Sequence, residues 1–292
     1  MAITHLSPPA GHVVATLNFY SPPPDGSQPY NIAGDVPPGV TPRNYDTDPQ
    51  PVLIHDARGK ESTFTLDHDA FQVLQHQPPL SISDPHPEPF TSDASIRTNY
   101  FPEVERLLLK TVPGATHVII FDHTLRRTSP TAARQPVARV HIDQTALSAA
   151  QRVRRHASSP EEADELLRGR YRIINVWRPL NQRPVESFPL AFASSASLRD
   201  EDVIPVEHRY LSTGYVGQTA GIRYHEGQKW YYLSGMTGEE RILLECFDSE
   251  ARKEGSKVKG GRVAHTAFED PRTREGAEGR ESIEVRALVF GP

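Results

Sequence analysis

The chain has little of several features that would place it in familiar classes. Its 292 residues include one cysteine, Cys246, which excludes an intrachain disulfide and a cysteine-rich metal site within one chain. We therefore expect a reducing compartment, the cytoplasm. No apolar run approaches the length that spans a bilayer, and the N-terminus lacks a charged segment followed by a long apolar one. The sequence predicts a soluble protein without a membrane partner.

Strong charge of either sign is also missing. The formal net charge is -5 at pH 7, and the basic run at 152–156 is followed by acidic residues at 161–165. This balance gives no electrostatic footprint for nucleic acid, whose binding needs a clustered positive surface. The chain shows no internal repeat and no glycine-rich phosphate loop, so neither a repeat fold nor a nucleotide-binding loop is indicated.

Proline, by contrast, is abundant and unevenly placed. Many of the 27 prolines lie within residues 1–95, for example in SPPPDG at 21–26 and DVPPGVTPR at 35–43. Because proline fixes φ and cannot donate a backbone hydrogen bond, extended strands and fixed turns should dominate there. We predict that residues 1–95 form an N-terminal extension that packs on a core made by residues 96–292.

The rest of the chain mixes β-rich segments with a few helical ones. Helical patterns stand at about 100–111, with Asn99 as a candidate cap, and over 144–170, with Ser159 as a cap and Gly169 as a stop. Strands are predicted at 116–127, 138–143, 171–180, 188–193, 241–249 and 281–290, with a hairpin across Glu226–Gly227. Short strands with intermittent helices predict a mainly β fold with helical additions, a double-sheet jelly roll or a related barrel. The segment 144–170 is then a helical insertion.

The segment ARVHIDQ at 138–144 places His141 and Asp143 two positions apart at the end of an apolar run. With 13 histidines in the chain, roughly one His-x-Asp or His-x-Glu match is expected by accident, so this spacing alone is a weak signal. Residues two apart on a strand point to the same face, however, and both side chains can then reach one metal ion. The alternative is a pair of polar residues that merely ends a strand.

His265, in GGRVAHTAFEDP, is the best candidate for a third ligand, because it also ends a short apolar segment. Two histidines and one carboxylate leave three coordination positions open, the arrangement in which Fe(II) holds a bidentate cosubstrate and oxygen. The alternative is a loop histidine beside Asp270. Arg280 and Ser282 lie on one face of the last predicted strand, where a guanidinium and a hydroxyl can bind a carboxylate.

At this point the residues carry a family resemblance. His141-x-Asp143, His265 and Arg280-x-Ser282 resemble the motif of the iron(II)/2-oxoglutarate-dependent dioxygenases. The strings NFYSPPPDGSQPYN, FDHTLRR, VHIDQT, INVWRPL, LECFDS and HTAFEDP, in this order, are similar to the fungal hydroxylase/desaturase family, also described as gibberellin-desaturase-like or cephem-methoxylase-like. That family is associated with secondary metabolism, and the match covers nearly the whole chain.

The resemblance implies a double-stranded β-helix, the cupin-like form of the jelly roll, that binds Fe(II), 2-oxoglutarate, O2 and a small organic substrate. It implies that His141, Asp143 and His265 bind the iron and that Arg280 and Ser282 hold 2-oxoglutarate. The carboxylate of Asp143 argues against halogenation, because a halide would need its coordination position. The expected activity is hydroxylation or desaturation, and the ligand set does not encode the choice between them.

The cosubstrate contacts leave alternatives open. Fifteen positions separate His265 from Arg280, a longer step than in many relatives. Alternative anchors for 2-oxoglutarate are therefore Arg272, Arg274 and Arg286. The string INVWRPL adds Asn175 and Arg178 as contacts to cosubstrate or substrate, whereas Trp177 is more often a core residue.

Two other functions stay open at the level of sequence. One is a catalytically silent partner subunit of the same fold, which the intact His-Asp-His set disfavours. The other is a metal enzyme that does not use 2-oxoglutarate, which Arg280 and Ser282 disfavour. The sequence also leaves open the identity of the substrate and whether the protein acts as a monomer, as a homodimer or as a heterodimer with a related chain.

Overall fold

Most of the predicted strands form, and they build two β-sheets. The computed structural model describes residues 7–77, 90, 92–129 and 131–291. Residues 1–6, 78–89, 91, 130 and 292 are outside this description, so part of the predicted 1–95 segment is outside it as well. Among the described residues the strands are β1 (Val13–Ser21), β2 (Tyr30–Ile32), β3 (Asp46–Asp56), β4 (Phe71–Leu74), β5 (His117–Arg127), β6 (His141–Ile142), β7 (Arg170–Pro179), β8 (Leu190–Ala193), β9 (Val203–Tyr210), β10 (Tyr215–Ile222), β11 (Trp230–Tyr232), β12 (Arg241–Asp248), β13 (His265–Ala267) and β14 (Glu281–Gly291).

The helices are short and few. Within the described ranges the α-helices are α1 (Leu66–Asp69), α2 (Asp93–Ser95), α3 (Phe101–Thr111), α4 (Ala146–His156) and α5 (Pro160–Arg168). A π-helical turn, Ile96–Tyr100, joins α2 to α3, and 3-10 turns lie at Glu61–Thr63, Ser195–Ser197, Asp200–Asp202 and Glu250–Arg252. None of the helices described here is long and apolar enough to cross a lipid bilayer.

The two sheets differ in size and in what covers them. The larger has nine strands in the order β1-β3-β11-β8-β13-β6-β10-β9-β2, and the smaller has five in the order β4-β12-β7-β14-β5. Core residues from both sheets pack together, for example Leu17 and Trp230 from the larger with Ile173 and Leu288 from the smaller. The fold is therefore mainly β with helical additions, as the sequence predicts, and it is a jelly roll.

The central strands of the small sheet are buried on both faces. β7 and β14 have almost no exposed residues, because the large sheet covers one face and α3 covers the other. On the outer face, Val104 and Leu108 of α3 pack against Ile174 and Val285 of the sheet. The inner face of β7 and β14 looks toward the large sheet. A site between the two sheets can therefore use only the side chains on that face.

The predicted helices form, with one difference at a boundary. The helix predicted at about 100–111 is α3, but the helical stretch begins before Asn99, because the hydroxyl of Ser92 accepts a backbone N–H three residues on and caps α2. The helices predicted over 144–170 are α4 and α5. Thr145 and Ser159 cap them through their side chains, and Gly169 stands at the C-terminal end of α5.

Two strand predictions need correction. The predicted hairpin across Glu226–Gly227 is wrong: β10 pairs with β9 and β6, whereas β11 pairs with β3 and β8. A turn does form there, with the Gln228 N–H donating to the His225 carbonyl at 3.1 Å, but it carries the chain to another part of the same sheet. The strand predicted at 138–143 is shortened to the two residues of β6.

The N-terminal strands belong to the large sheet. β1 pairs with β3 along its whole length, and β3 pairs in parallel with β11. The inward residues of β1, such as Leu17 and Phe19, are 1% and 0% exposed and pack in the same core as Trp230. The residues before 95 thus contribute strands to the sheet that carries β6 and β13. The division into an extension and a core at residue 95 stays a prediction.

The contribution of β1 can be measured. Leu17→Ala should lower the free energy of unfolding by about 2–5 kcal/mol, because a buried leucine leaves a cavity when it is truncated. Val14→Ala is the matched control on the same strand: Val14 is 58% exposed, so we expect a loss below about 1 kcal/mol. Urea denaturation followed by fluorescence compares the two. Equal, small losses would mean that β1 contributes little to the folded core.

Candidate active site

The structure brings the two predicted histidines and the aspartate together. His141 on β6 and His265 on β13 are direct partners across adjacent antiparallel strands, with ring centroids 4.4 Å apart. Asp143 follows β6 immediately. One ligand atom from each of the three residues lies within 4.8 Å of the others. Since two ligand atoms ~2.1 Å from one ion are roughly 3 Å apart at right angles, this cluster can close on a single metal with small movements.

Backbone carbonyls orient both imidazole rings. Nδ1 of His141 lies 2.8 Å from the carbonyl oxygen of Arg139, and Nδ1 of His265 lies 3.3 Å from that of Val263. A carbonyl can only accept, so Nδ1 carries the proton in each neutral ring and Nε2 keeps a free lone pair. In both cases the carbonyl is two residues upstream of its histidine. The two rings therefore present Nε2, a metal-binding atom, toward the shared space.

Asp143 has one oxygen that is held and one that is free. Its Oδ2 accepts hydrogen bonds from Nε of Arg286 at 2.8 Å and from Nδ2 of Asn175 at 2.9 Å. Its Oδ1 lies 3.3 Å from Nε2 of His141. The free ligand atoms are thus one carboxylate oxygen and two imidazole nitrogens, which fits a mononuclear ion with open positions.

The groups that hold Asp143 stand in one row across the small sheet. Arg286 on β14 lies opposite Asp122 on β5 and opposite Asn175 on β7. The guanidinium donates to Asp122 at 3.1 Å and to the hydroxyl of Thr124 at 2.9 Å, besides its bond to Asp143. It also forms an ion pair with Glu284. Arg286 therefore cannot turn toward a cosubstrate without leaving buried acids unpaired.

The local electrostatics keep the cluster in a metal-binding state. Burial acts to raise the pKa of Asp143, but Arg286 and the two histidines hold it well below its ordinary value of 3.8. Burial, with a further contribution from His141, lowers the pKa of His265 to about 3. At neutral pH the aspartate is thus ionised and His265 is neutral. These are the protonation states that metal binding requires.

A narrow cavity, partly open to solvent, adjoins the two histidines. Its other walls include Arg126, Trp177, Arg280 and Glu284. Arg280 is 1% exposed, and its guanidinium donates to the carbonyl of Phe188 at 2.7 Å and lies 5.7 Å from the Trp177 ring. Burial and the neighbouring Arg126 lower the pKa of Arg280 to about 9. The cationic side chains of Arg126 and Arg280 thus border the same cavity.

The polar groups that border the cavity suit the carboxylates of a molecule such as 2-oxoglutarate. In the described part of the chain, neither Arg126 nor Arg280 has a carboxylate within ion-pair distance, and Nε of Arg280 has no hydrogen-bond partner. The buried hydroxyl of Ser282, opposite Arg126 in the sheet, also has none among those residues. Buried cations and hydroxyls without partners are costly, and a bound carboxylate would satisfy them through charge-assisted hydrogen bonds.

Other residues from the sequence prediction lie elsewhere. Arg178 is on the outer face of β7, where its guanidinium lies 5.5 Å from the rings of Phe90 and Tyr100 and 4.0 Å from Glu103. Its neighbours Asn175 and Trp177 point to the inner face, because side chains alternate along a strand. The sheet thus separates Arg178 from the cavity.

The alternative anchors Arg272 and Arg274 are bound outside the cavity as well. Arg272 pairs with Asp270 at 2.7 Å and donates to the hydroxyl of Tyr232 at 2.8 Å. Arg274 forms an ion pair with Glu186. Neither residue borders the cavity next to the histidines. Of the arginines proposed from the sequence, the structure brings only Arg280 to that cavity, together with Arg126.

Arg126 is the residue that sequence reasoning missed. It occurs in the string FDHTLRR, which carries part of the family resemblance. Asp122, Thr124 and Arg126 occupy alternate positions of β5 and share the inner face, whereas His123 faces outward and packs against Phe101. Because His123 and Arg127 on the opposite face are polar as well, the sequence of β5 contains no alternation that identifies the inner face.

Two histidines and one aspartate with open positions, set in a jelly roll beside an anion-binding cavity, define a mononuclear non-haem iron oxygenase that uses an acidic cosubstrate. A family model described as an oxidoreductase/YMDC permease-like domain matches residues 17–290. The hydroxylase/desaturase poxK of Penicillium oxalicum is 38% identical over 312 residues, which cover 99% of this chain and 94% of that protein. The chain belongs to the fungal hydroxylase/desaturase family of Fe(II)/2-oxoglutarate-dependent dioxygenases.

Further relatives agree in both sequence and fold. The Fe(II)/2-oxoglutarate-dependent dioxygenase nvfI of Aspergillus novofumigatus is 34% identical over 258 residues, 87% of this chain and 88% of that protein. A solved structure of the iron and alpha-ketoglutarate-dependent endoperoxidase NvfI superposes with a TM-score of 0.81 and 31% identity, over 96% of this chain and 98% of that one. The predicted family, jelly-roll fold and cofactors Fe(II), 2-oxoglutarate and O2 are confirmed.

The contact between Arg286 and Asp143 makes a prediction about pH. In metal-free Arg286→Gln the pKa of Asp143 should rise, because the largest opposing charge is removed. The stability that this carboxylate contributes is present above its unfolded pKa and is lost as pH falls through its folded pKa. In the variant this loss should therefore begin at a higher pH. Carbon-detected NMR titration of the carboxyl group measures the shift.

The controls for this test lie on the same sheet. Arg127→Gln removes an exposed arginine that pairs with Glu281 and should leave the titration of Asp143 unchanged. Arg286→Gln should also lower the free energy of unfolding by about 3–5 kcal/mol, since it leaves buried acids unpaired. Arg286→Lys keeps the positive charge, so both its pKa of Asp143 and its free energy of unfolding should lie between those of Arg286→Gln and Arg127→Gln. An unshifted pKa in folded Arg286→Gln would mean that Arg286 does not govern this carboxylate.

Proposed function

We propose that this dioxygenase binds Fe(II) through His141, Asp143 and His265 and hydroxylates or desaturates a small organic molecule in fungal secondary metabolism. The observation that carries the assignment is the pairing of two features at one place. Three free ligand atoms lie close together, and the buried Arg280 and the half-buried Arg126, neither with a carboxylate within ion-pair distance among the described residues, border the adjoining cavity. A metal alone would explain the first feature and an organic acid alone the second. The cofactor pair of this family explains both.

We propose separate tasks for the residues around the cavity. Arg280, with Ser282 beside it, binds the distal carboxylate of 2-oxoglutarate, and Arg126 adds a second positive charge to the same space. Asn175 acts on Asp143 rather than on the cosubstrate, because its amide already donates to the carboxylate. Arg286 keeps the same carboxylate ionised and directs its free oxygen toward the histidines. When bound, iron would let O2 act as the oxidant, with two electrons coming from 2-oxoglutarate as it is converted to succinate and CO2 and two from a substrate C–H bond.

The same features bear on the two alternatives. A silent partner subunit has no use for two imidazoles whose tautomers are fixed by carbonyls and whose free nitrogens converge. A metal enzyme that does not use 2-oxoglutarate does not need Arg126 and Arg280 side by side without a carboxylate within ion-pair distance. Anaerobic addition of 2-oxoglutarate to the Fe(II)-loaded protein should produce a visible charge-transfer band, and aerobic turnover should release succinate. A metal that binds without either signal would favour the second alternative.

Compartment and assembly remain proposals. The one cysteine is buried and free among the described residues, which suits a reducing compartment, and we propose the cytoplasm. We also propose that the substrate is a small molecule and that the protein does not bind nucleic acid. The sequence leaves a homodimer or a heterodimer with a related chain open. Sedimentation of the purified protein at several concentrations would decide between a monomer and a dimer.

The metal ligands can be tested one at a time. His141→Ala, Asp143→Ala and His265→Ala should each weaken Fe(II) binding at least tenfold and abolish most turnover, while circular dichroism shows the fold retained. His68→Ala is the control, because His68 is an exposed histidine on α1, remote from the cluster. Isothermal titration with Fe(II) under argon gives the affinities. A variant with near-normal iron affinity would remove its residue from the ligand set.

The cosubstrate anchor is tested by titrating 2-oxoglutarate into Fe(II)-loaded variants. A charge-assisted hydrogen bond contributes about 1.5–3 kcal/mol, so Arg280→Ala should weaken 2-oxoglutarate binding roughly tenfold or more without releasing iron. Arg280→Lys should lose less, because it keeps the charge but not the planar fork. Ser282→Ala should lose about 1 kcal/mol.

Variants of Arg126 and Arg178 test the assignment of the 2-oxoglutarate anchor further. Arg126→Gln should weaken 2-oxoglutarate binding, since Arg126 borders the cavity. Arg178→Lys should leave that affinity unchanged within about twofold, because its guanidinium packs on the opposite face of the sheet. Unchanged affinity in Arg280→Ala, together with a large loss in Arg178→Lys, would move the anchor to Arg178 and contradict the arrangement proposed here.

A further inference from the structure

A second depression lies beside the cavity of the active site. It is roomier than the cavity and more open to solvent. Its walls come from β1, from the residues leading into β3 and from the segment 136–139 that precedes β6. We call it the Arg43/Arg139 groove after the two charged residues in its wall.

The groove is positive in a chain whose net charge is negative. Its lining contains Arg43 and Arg139 but no aspartate or glutamate, although the chain carries a formal net charge of -5. Among the described residues neither arginine has a carboxylate within ion-pair distance, and neither guanidinium has a hydrogen-bond partner. Arg43 lies 6.0 Å from the ring of Tyr45, which leaves its donors available. Uncharged polar groups, Asn18 and Thr47, complete the polar part of the wall.

One short segment separates the groove from the cavity. Val137 borders both spaces. Its carbonyl accepts the N–H of Ala267 at 2.8 Å, which fixes it beside the strand that carries His265. At the other end of the segment, the side-chain amide of Asn18 donates to the carbonyl of Ala138 at 2.8 Å. Val137 is therefore a wall that the groove shares with the cavity bordered by His141 and His265.

We propose that the Arg43/Arg139 groove binds the anionic end of the substrate, and that this end is a carboxylate. The inference rests on the proposed function, since it names the substrate class of the same site. Two guanidinium groups without acidic partners can bind a carboxylate in the planar, two-pronged manner that favours arginine over lysine. The apolar remainder of the substrate then passes Val137, so that a carbon remote from the carboxylate faces His141 and His265.

The test uses simple acids as probes, because the substrate itself is not identified. Octanoate and 2-naphthoate, each compared with its own amide, are titrated into the full-length protein loaded with Fe(II) and saturating 2-oxoglutarate under argon. Ligand-observed NMR gives the affinities. The carboxylates should bind at least tenfold more tightly than the amides, and Arg43→Gln or Arg139→Gln should remove most of that preference. Arg154→Gln, which changes an exposed arginine on α4, should not.

Each outcome decides the question. If neither acid binds better than its amide, or if both groove variants keep the preference, the proposal is wrong. If 2-oxoglutarate, added to Fe(II)-loaded protein that holds only Fe(II) and the acid, displaces the acid competitively, the anion site belongs to the cosubstrate and the proposal is also wrong. The charge-transfer band serves as a separate readout in the same samples. Its absence from the wild-type protein would overturn the proposed function, while the acid titration, repeated on metal-free protein, would still test the groove.

Discussion

The ion pair between Asp143 and Arg286 is the constraint on which the site depends. It joins the end of β6 in the large sheet to β14 in the small one, so it fixes the two sheets relative to each other at the point where the ligands meet. An isolated carboxylate at this depth would take up a proton and lose its value as a ligand. With Arg286 beside it the carboxylate stays ionised, and with Asn175 it presents a single free oxygen. The sheet row Asp122–Arg286–Asn175 is thus the support of the metal position.

Arginines on the inner face divide into two kinds according to their partners. Arg286 has acids on several sides, and those acids raise the pKa of its guanidinium well above the ordinary value. Arg280 and Arg126 have no such partners, and burial lowers the pKa of each. A buried cation that is matched by acids belongs to the folded framework, whereas an unmatched one gains its partner only from a ligand. On the proposed assignment, this difference separates the residue that would position the metal, Arg286, from those that would bind the cosubstrate, Arg280 and Arg126.

The sequence predicted the parts of this site that depend on local pattern and on family strings. The ligand set His141, Asp143 and His265 and the strand and helix segments near it follow from alternation, caps and resemblance. It could not predict which face of the small sheet each arginine occupies, because that depends on register between strands far apart in sequence. Alternation groups the residues of one strand by face but does not say which face looks toward the large sheet, so Arg178 was named as a candidate contact and Arg126 was not. The Glu226–Gly227 hairpin failed for a related reason: a correct turn does not specify the strand that pairs next.

The segment before β6 links recognition to metal binding through its backbone. The carbonyl of Arg139 orients the His141 ring, while the side chain of the same residue borders the groove. A carboxylate held by that side chain would therefore restrain the same backbone that sets a ligand's tautomer and direction. Val137, two residues earlier, is fixed by the N–H of Ala267 beside His265. An occupant of the groove would thus act on both histidines through one short segment, and substrate binding and ligand geometry would be coupled without any larger rearrangement of the fold.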